Sequence, residues 1–237
     1  MKNNKSGRVM LGNISSVLLI VLALTGMFAV QGCSDSSNSV STQTDNLGFS
    51  VKFNDAAYNN PNSAIVITEA KALVSELEIE TSDSSASHEI HLSPFVINFD
   101  INGGLKEVLS AYIPSKTYKK IKFQIHKPED NETPPDPEFS SGGRYSFIIK
   151  GTYNGNSFVF KSKKTVNIVL TMNNQVSISS TKLNLTMILN KLQWFLENGS
   201  EIDPRDPSKE DKIDDNLRNS FKNVFKDDDK NGVPDDN

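Results

Sequence analysis

At 237 residues, 36% of them hydrophobic and 23% charged, the chain is long enough for one or two globular domains. Its formal charge of −4 argues against nucleic acid as a partner, because that role needs a basic face. The single cysteine excludes intrachain disulfides, zinc-thiolate clusters and thiol redox pairs, so stability has to come from packing.

The chain opens on Lys2, Lys5 and Arg8, continues through the apolar run Val17–Leu24, and reaches small residues at Gly26 and Ala29. This order of basic, apolar and small residues is that of an export signal. The apolar run is far shorter than the roughly 20 residues of a membrane-spanning helix, and no later segment is longer. It closes on Val30-Gln31-Gly32-Cys33, which resembles the lipobox of bacterial lipoproteins. The resemblance implies that residues 1–32 are removed and that Cys33 becomes an N-terminus carrying a thioether-linked diacylglycerol and an acylated amine. Two or more acyl chains give stable anchoring where one gives only marginal binding. Ser34 rather than Asp after the cysteine implies, within the same family, passage to the outer membrane, on its periplasmic or surface side. Loss of Lys2, Lys5 and Arg8 with the leader takes the formal charge of −4 to about −7.

Residues 33–47 read as a flexible tether. Ser34–Asp45 is Ser, Asn, Thr and Asp with almost no apolar side chain, too polar to offset the entropy of its own ordering, and spans roughly 20 Å. From Gly48 the pattern turns to period two, with Phe49, Val51 and Phe53 on one face and Ser50, Lys52 and Asn54 on the other. Further strands are expected at Ile65–Ile67, Leu73–Ile79, His88–Leu92, Val96–Phe99 and Ile121–Ile125. Arg144–Thr152 and Asn156–Lys163 flank Tyr153-Asn154-Gly155, and Asn-Gly between β-rich runs is a strong hairpin signal. Thr165–Met172, Gln175–Ser179 and Leu183–Ile188 complete the set. Short strands with turns between them, and no helical crossovers, predict a mainly β domain over 48–190, an antiparallel β-sandwich of immunoglobulin-like or transthyretin-like kind. Two stretches interrupt it. Gly103–Ser110 reads as a short helical turn through Leu105, Val108 and Leu109, and proline-rich Lys127–Gly143 as a surface loop without regular structure. The run Ile113-Pro114-Ser115-Lys116-Thr117-Tyr118-Lys119-Lys120-Ile121-Lys122-Phe123 resembles a segment of secreted β-sandwich lipoproteins from bacterial families of unknown function.

Residues 191–226 read as a helical C-terminal extension. Leu192, Trp194, Phe195 and Leu196 form an apolar knot expected to cap one end of the sandwich. Ser208 starts a helix with an acidic first turn, and Ile213, Leu217, Ser220, Phe221 and Val224 recur at three and four. Residues 227–237 are an acidic tail whose pattern fits D-x-[DN]-x-[DN]-G calcium loops. Asp227, Asp229 and Asn231 occupy positions one, three and five, Gly232 permits the sharp turn, Val233 offers its carbonyl and Asp235 a carboxylate or a bound water. The segment also resembles a thrombospondin type 3 calcium repeat. Pro234 departs from a helix-loop-helix hand, and the twelfth position, normally a bidentate carboxylate, falls past Asn237, so calcium affinity is expected in the weak range of roughly 10⁻⁴ to 10⁻³ M.

Other chemistry is sparse. His88, His91 and His126 are the three histidines, and on a strand His88 and His91 point to opposite faces, so a metal carrier needs a bend between them. Tyr58, Tyr112, Tyr118, Tyr145, Tyr153 and Trp194 are the rings that sugar stacking could use, or core residues. Gly-x-Ser-x-Gly, P-loop, HExxH and dinucleotide motifs are missing, which points away from an enzyme, although two carboxylates distant in sequence would suffice for a glycoside hydrolase. The expectation is a non-catalytic, lipid-anchored envelope protein that binds or scaffolds a glycan or protein, with calcium on its tail. An envelope glycoside hydrolase and a metal carrier are the alternatives.

Overall fold

The computed structural model describes residues 44–54, 63–83, 87–90, 94–179 and 181–235. The readings made for the leader, Cys33, Tyr58 and His91 lie outside these residues, as do the side chains of His88 and Glu89.

In chain order the strands are β1 (Leu47–Phe53), β2 (Ile65–Thr81), β3 (Ser87–Ile90), β4 (Phe95–Asn98), β5 (Lys106–Ala111), β6 (Thr117–Ile125), β7 (Phe147–Tyr153), β8 (Asn156–Ser162), β9 (Val166–Ser177) and β10 (Leu183–Leu189). The short hairpin β11 (Leu196–Glu197) and β12 (Ser200–Glu201), the helix α1 (Glu210–Asn219) and the strand β13 (Phe221–Lys226) follow. They form a four-stranded sheet in the order β13-β10-β1-β5 and a seven-stranded sheet along β8-β7-β2-β6-β9, with β3 and β4 also paired to β2. The protein is therefore mainly β, with one short C-terminal α-helix among the described residues. Pairing is antiparallel except between β1 and β10, which run parallel from Leu47↔Leu183 to Phe53↔Leu189. A parallel pair needs a long crossover, and here the large sheet itself supplies it.

Alternation decides which side chains meet. Leu47, Phe49, Val51 and Phe53 of β1, with Leu183, Leu185, Met187 and Leu189 of β10, are at most 5% exposed and face the large sheet. Rings link the two sheets: Phe49 and Phe221 both lie on Phe123, with centroids 6.5 and 5.5 Å away, while Phe53 of β1 meets Trp194 of the apolar knot at 5.4 Å. Phe195 packs on Phe158 and Phe160, so the apolar knot is part of this core. The expected hairpin is present: Tyr153 pairs with Asn156, and Asn154 and Gly155 take φ of 50° and 76°.

Several expectations need correction. β2 is one strand of 17 residues, not two runs. Its middle, Ala70–Val74, is buried on both faces, which erases the alternation that marks a half-buried strand. β9 likewise joins the two runs expected on either side of Asn173. Gly103–Ser110 holds no helical turn. Lys106–Ala111 is β5, antiparallel to β1, because six residues are too few to sustain a helix while the open edge of β1 offers ladder hydrogen bonds. The helix begins after a 3₁₀ turn over Pro207–Lys209, capped by Asp206 rather than Ser208, and it stops early. Ser220 donates its hydroxyl proton to the Leu217 carbonyl at 2.7 Å, and Phe221–Lys226 becomes β13 on the edge of β10. The stretch 191–226 thus carries the expected helical segment in α1 and also contributes an edge strand to the small sheet.

The proline-rich loop is also more ordered than expected. A 3₁₀ turn spans Pro137–Ser140, and Phe139 is fully buried with Leu73, Tyr145 and Ile148 in a second cluster on the outer face of the large sheet. Lys71 pins the turn there, with its Nζ 2.6 Å from both Asp136 Oδ2 and Glu138 Oε2. Proline forbids ladder bonds but not docking.

Candidate metal centre

On β10 the residues alternate between core and outer face, so Asn184 and Thr186 point away from the large sheet. Ser50 of β1 stands beside Thr186 in the register. All three are at most 2% exposed, and buried polar groups need partners. Ser50 Oγ donates to Asn184 Oδ1 at 2.8 Å, and Asn184 Nδ2 donates to Thr186 Oγ1 and to the Asp227 carbonyl, both at 3.0 Å. Thr186 Oγ1 then donates to Asp227 Oδ2 at 2.6 Å. What buries this polar face is the segment after β13, which turns back across β10.

Asp227 is fully buried. Its carboxylate accepts from Thr186, from Asn231 N at 2.9 Å and from Gly232 N at 3.1 Å, while its own N–H donates to the Asn184 carbonyl at 2.9 Å. Asp229 accepts from Asn231 N at 3.2 Å and Asn231 Nδ2 at 2.7 Å. Asp235 Oδ2 accepts from Asp228 N at 2.7 Å, which closes the loop. Gly232 carries the turn with φ of 79°, a conformation costly for any residue with a Cβ.

These contacts bring one carboxylate oxygen each from Asp227, Asp229 and Asp235 within 4.8 Å of one another, so the three could hold a metal ion. An all-oxygen donor set of this kind suits a hard cation. Asn231, expected at position five, lies in the loop with its Oδ1 accepting from Val233 N at 2.7 Å. Val233 exposes its side chain and donates its N–H to Asn231 Oδ1.

Sequence reasoning missed the groups that seat the loop. Asp228 Oδ1 accepts from Asn184 N at 3.0 Å, and its Oδ2 pairs with Lys226 at 2.9 Å, which holds that ammonium above the ordinary lysine value. Lys230 pairs with Glu107 of β5, and Glu107 also meets Lys182 at 3.0 Å, so the Glu107 carboxyl is held below its usual value. Lys52 donates to the Asn231 carbonyl at 3.4 Å. The available signal was the polar Asn184 and Thr186 inside an otherwise apolar strand.

Among the described residues the remaining candidates do not converge. His126 stands 3.3 Å from Glu129 at a cleft of about 610 Å³, apart from the acidic loop. Tyr118 is fully buried and donates to the Pro114 carbonyl at 2.8 Å, and burial raises its phenol. Trp194 is fully buried against Phe53 and Phe99. Tyr145 is nearly buried under Lys161, whose Nζ lies 4.7 Å above the ring, and Arg205 covers Tyr153 at 5.6 Å. Tyr112, at 40% exposure, is the open ring of the set among the described residues. The carboxylates of Asp136 and Glu138 are held below their usual values by hydrogen bonds from Lys71, opposite to the shift a general acid requires. No helix of the described residues is long and apolar enough to cross a membrane.

No family model matches the sequence, and no curated protein or solved structure is significantly similar to it.

Proposed function

We propose that the chain is a non-catalytic lipoprotein of the cell envelope, anchored through acyl chains on Cys33, whose β-sandwich presents a binding or scaffolding surface for an extracytoplasmic glycan or protein. Its C-terminal loop takes calcium. The anchor rests on the lipobox-like Val30–Cys33 after a basic and apolar leader, and the outer membrane on Ser34. Support for the ligand surface comes from a cleft of about 470 Å³ along β8, where Tyr145, Val159, Lys161, Lys163 and Pro204 mix apolar and cationic character.

One observation carries the calcium reading: Asp227, Asp229 and Asp235 bring their carboxylates together in a loop that is built onto a sheet rather than trailing in solvent. Magnesium would demand stricter octahedral geometry and more retained water, whereas calcium accepts a flexible set with a backbone carbonyl such as that of Val233. Calorimetric titration tests it. The protein is expected to bind calcium with a Kd of roughly 10⁻⁴ to 10⁻³ M and magnesium more weakly. The paired change Asp229→Asn and Asp235→Asn should abolish the calcium heat while leaving the buried Asp227 to hold the fold. Identical heats from both proteins would remove the site.

A further inference from the structure

Helix α1 buries Ile213, Leu217 and, beside them, Asp214. The first two form the apolar face that an i, i+4 spacing creates. Asp214 is an exception to that pattern. It is 6% exposed, and neither of its carboxylate oxygens has a hydrogen-bond partner. A buried carboxylate without a donor is costly, and the usual relief is to take up a proton.

The surroundings offer little else. Asp214 lines a cleft of about 430 Å³ with Thr165, Val166, Lys164, Asp211 and Arg218. Lys164 is 3.0 Å from Asp211, and Arg218 is 2.9 Å from Asp215. On the elements packed against the helix, Lys209 is held by Glu197 at 2.6 Å and Lys191 by the Ile101 carbonyl. Ser162, fully buried at the end of β8, faces the carboxyl; its Oγ accepts from Lys164 N at 3.1 Å and from Ser146 Oγ at 3.4 Å, which leaves its own O–H to turn toward Asp214 and only partly offset the burial. Glu210 and Asp211, one turn back on the same helix, add negative charge.

We propose that Asp214 is a proton-operated latch: α1 stays seated against the β8–β9 connection while the carboxyl is protonated, and loosens when it ionises and turns toward water or Lys164. The seating also fixes the segment beneath, because Asn216 Nδ2 donates to the carbonyls of Trp194 at 3.1 Å and Leu196 at 2.7 Å. Burial is the largest influence on the carboxyl, which is pushed from 3.8 up to about 6. Ser162 and Lys164 oppose the rise, whereas Glu210 and Asp211 add to it. The seated form thus binds the proton more tightly than the free helix does. Seating is fullest below about 3.8 and is lost as pH rises through about 6. A carboxyl moved that far sets a ceiling of roughly 100-fold on the change in the seating equilibrium.

The test is hydrogen exchange of residues 210–219, corrected for the intrinsic pH dependence of exchange, with fluorescence of the single tryptophan, Trp194, between pH 4.5 and 7.5. In the wild-type protein, protection of α1 should fall by ten-fold or more across this range, with a parallel change in Trp194 emission. Asp214→Asn, an uncharged mimic of the protonated acid, should flatten both profiles, and Asp211→Asn, which removes a neighbouring negative charge and frees Lys164, should keep the transition with its midpoint moved to lower pH. A wild-type profile that is already flat, or an Asp214→Asn profile that matches wild type, would overturn the latch. Carbon-detected titration of the Asp214 carboxyl in the wild-type protein gives a second reading that does not depend on the variant folding, and a midpoint below about 4.5 overturns it as well.

Discussion

Gly232 and Asp227 divide the work of the acidic loop. The buried carboxyl of Asp227 accepts from a hydroxyl and two backbone N–H groups, and those N–H groups converge on it because the chain turns sharply at Gly232. A Cβ at position 232 would lie 2.4 Å from Lys52 Nζ, but the far end of a lysine can swing aside. The positive φ cannot be relieved in that way. Gly232→Ala is therefore expected to cost about 1 to 2 kcal/mol, most of it backbone strain. Thermal unfolding should show a midpoint lowered by roughly 2 to 8 °C. At this scale the sequence was informative: the acidic positions Asp227, Asp229 and Asp235, whose carboxylates the structure brings together, and the turn glycine follow from spacing alone. Ser50, Asn184 and Thr186 were only partly legible as their supports, because polar residues inside an apolar strand mark a second face but nothing local says what covers it.

Among elements, β2 and β7 show how a sheet this long accommodates its own irregularity. The register of β2 against β7 shifts between Ile67 and Glu69, and Gly151 of β7 lies opposite Ile67. A Cβ there would be 2.1 Å from the Val66 carbonyl oxygen, a backbone atom with nowhere to go. Gly151→Ala should separate the two strands locally and cost about 3 kcal/mol, at the upper end of overpacking effects. Urea denaturation should show a midpoint well below wild type, whereas Gly155→Ala, where a Cβ meets open space, should show the smaller loss of turn strain alone. The elements that sequence pattern identified best were β1 and β6, whose apolar and polar side chains alternate, and the β7–β8 hairpin, marked by Asn154-Gly155. Gly103–Ser110 and Phe221–Lys226 were misread because apolar residues spaced three and four apart within so few positions fit a helix turn and a bulged strand equally well. An unfilled sheet edge beside each then selected the strand.

For the whole molecule, Gln43–Asn237 form one compact unit, so helix, edge strand and acidic loop belong to the same body as the sandwich. Cys33 precedes that unit. If acyl chains on its sulfur are the membrane attachment, Cys33→Ser should move the protein from the membrane fraction to the soluble one while leaving its unfolding midpoint unchanged. Retention with membranes would count against lipidation. The amino-acid sequence by itself determined the β character, the tight hairpin and the close spacing of the tail's carboxylates, because alternation, Asn-Gly chemistry and D-x-D-x-N-G are local properties carried by neighbouring residues. Only the tertiary structure decided that the tail lies on β10, that β1 and β10 run parallel, and that Asp214 is buried. Each of these depends on which distant surface the chain meets, and burial, unlike periodicity, is not written in any one segment.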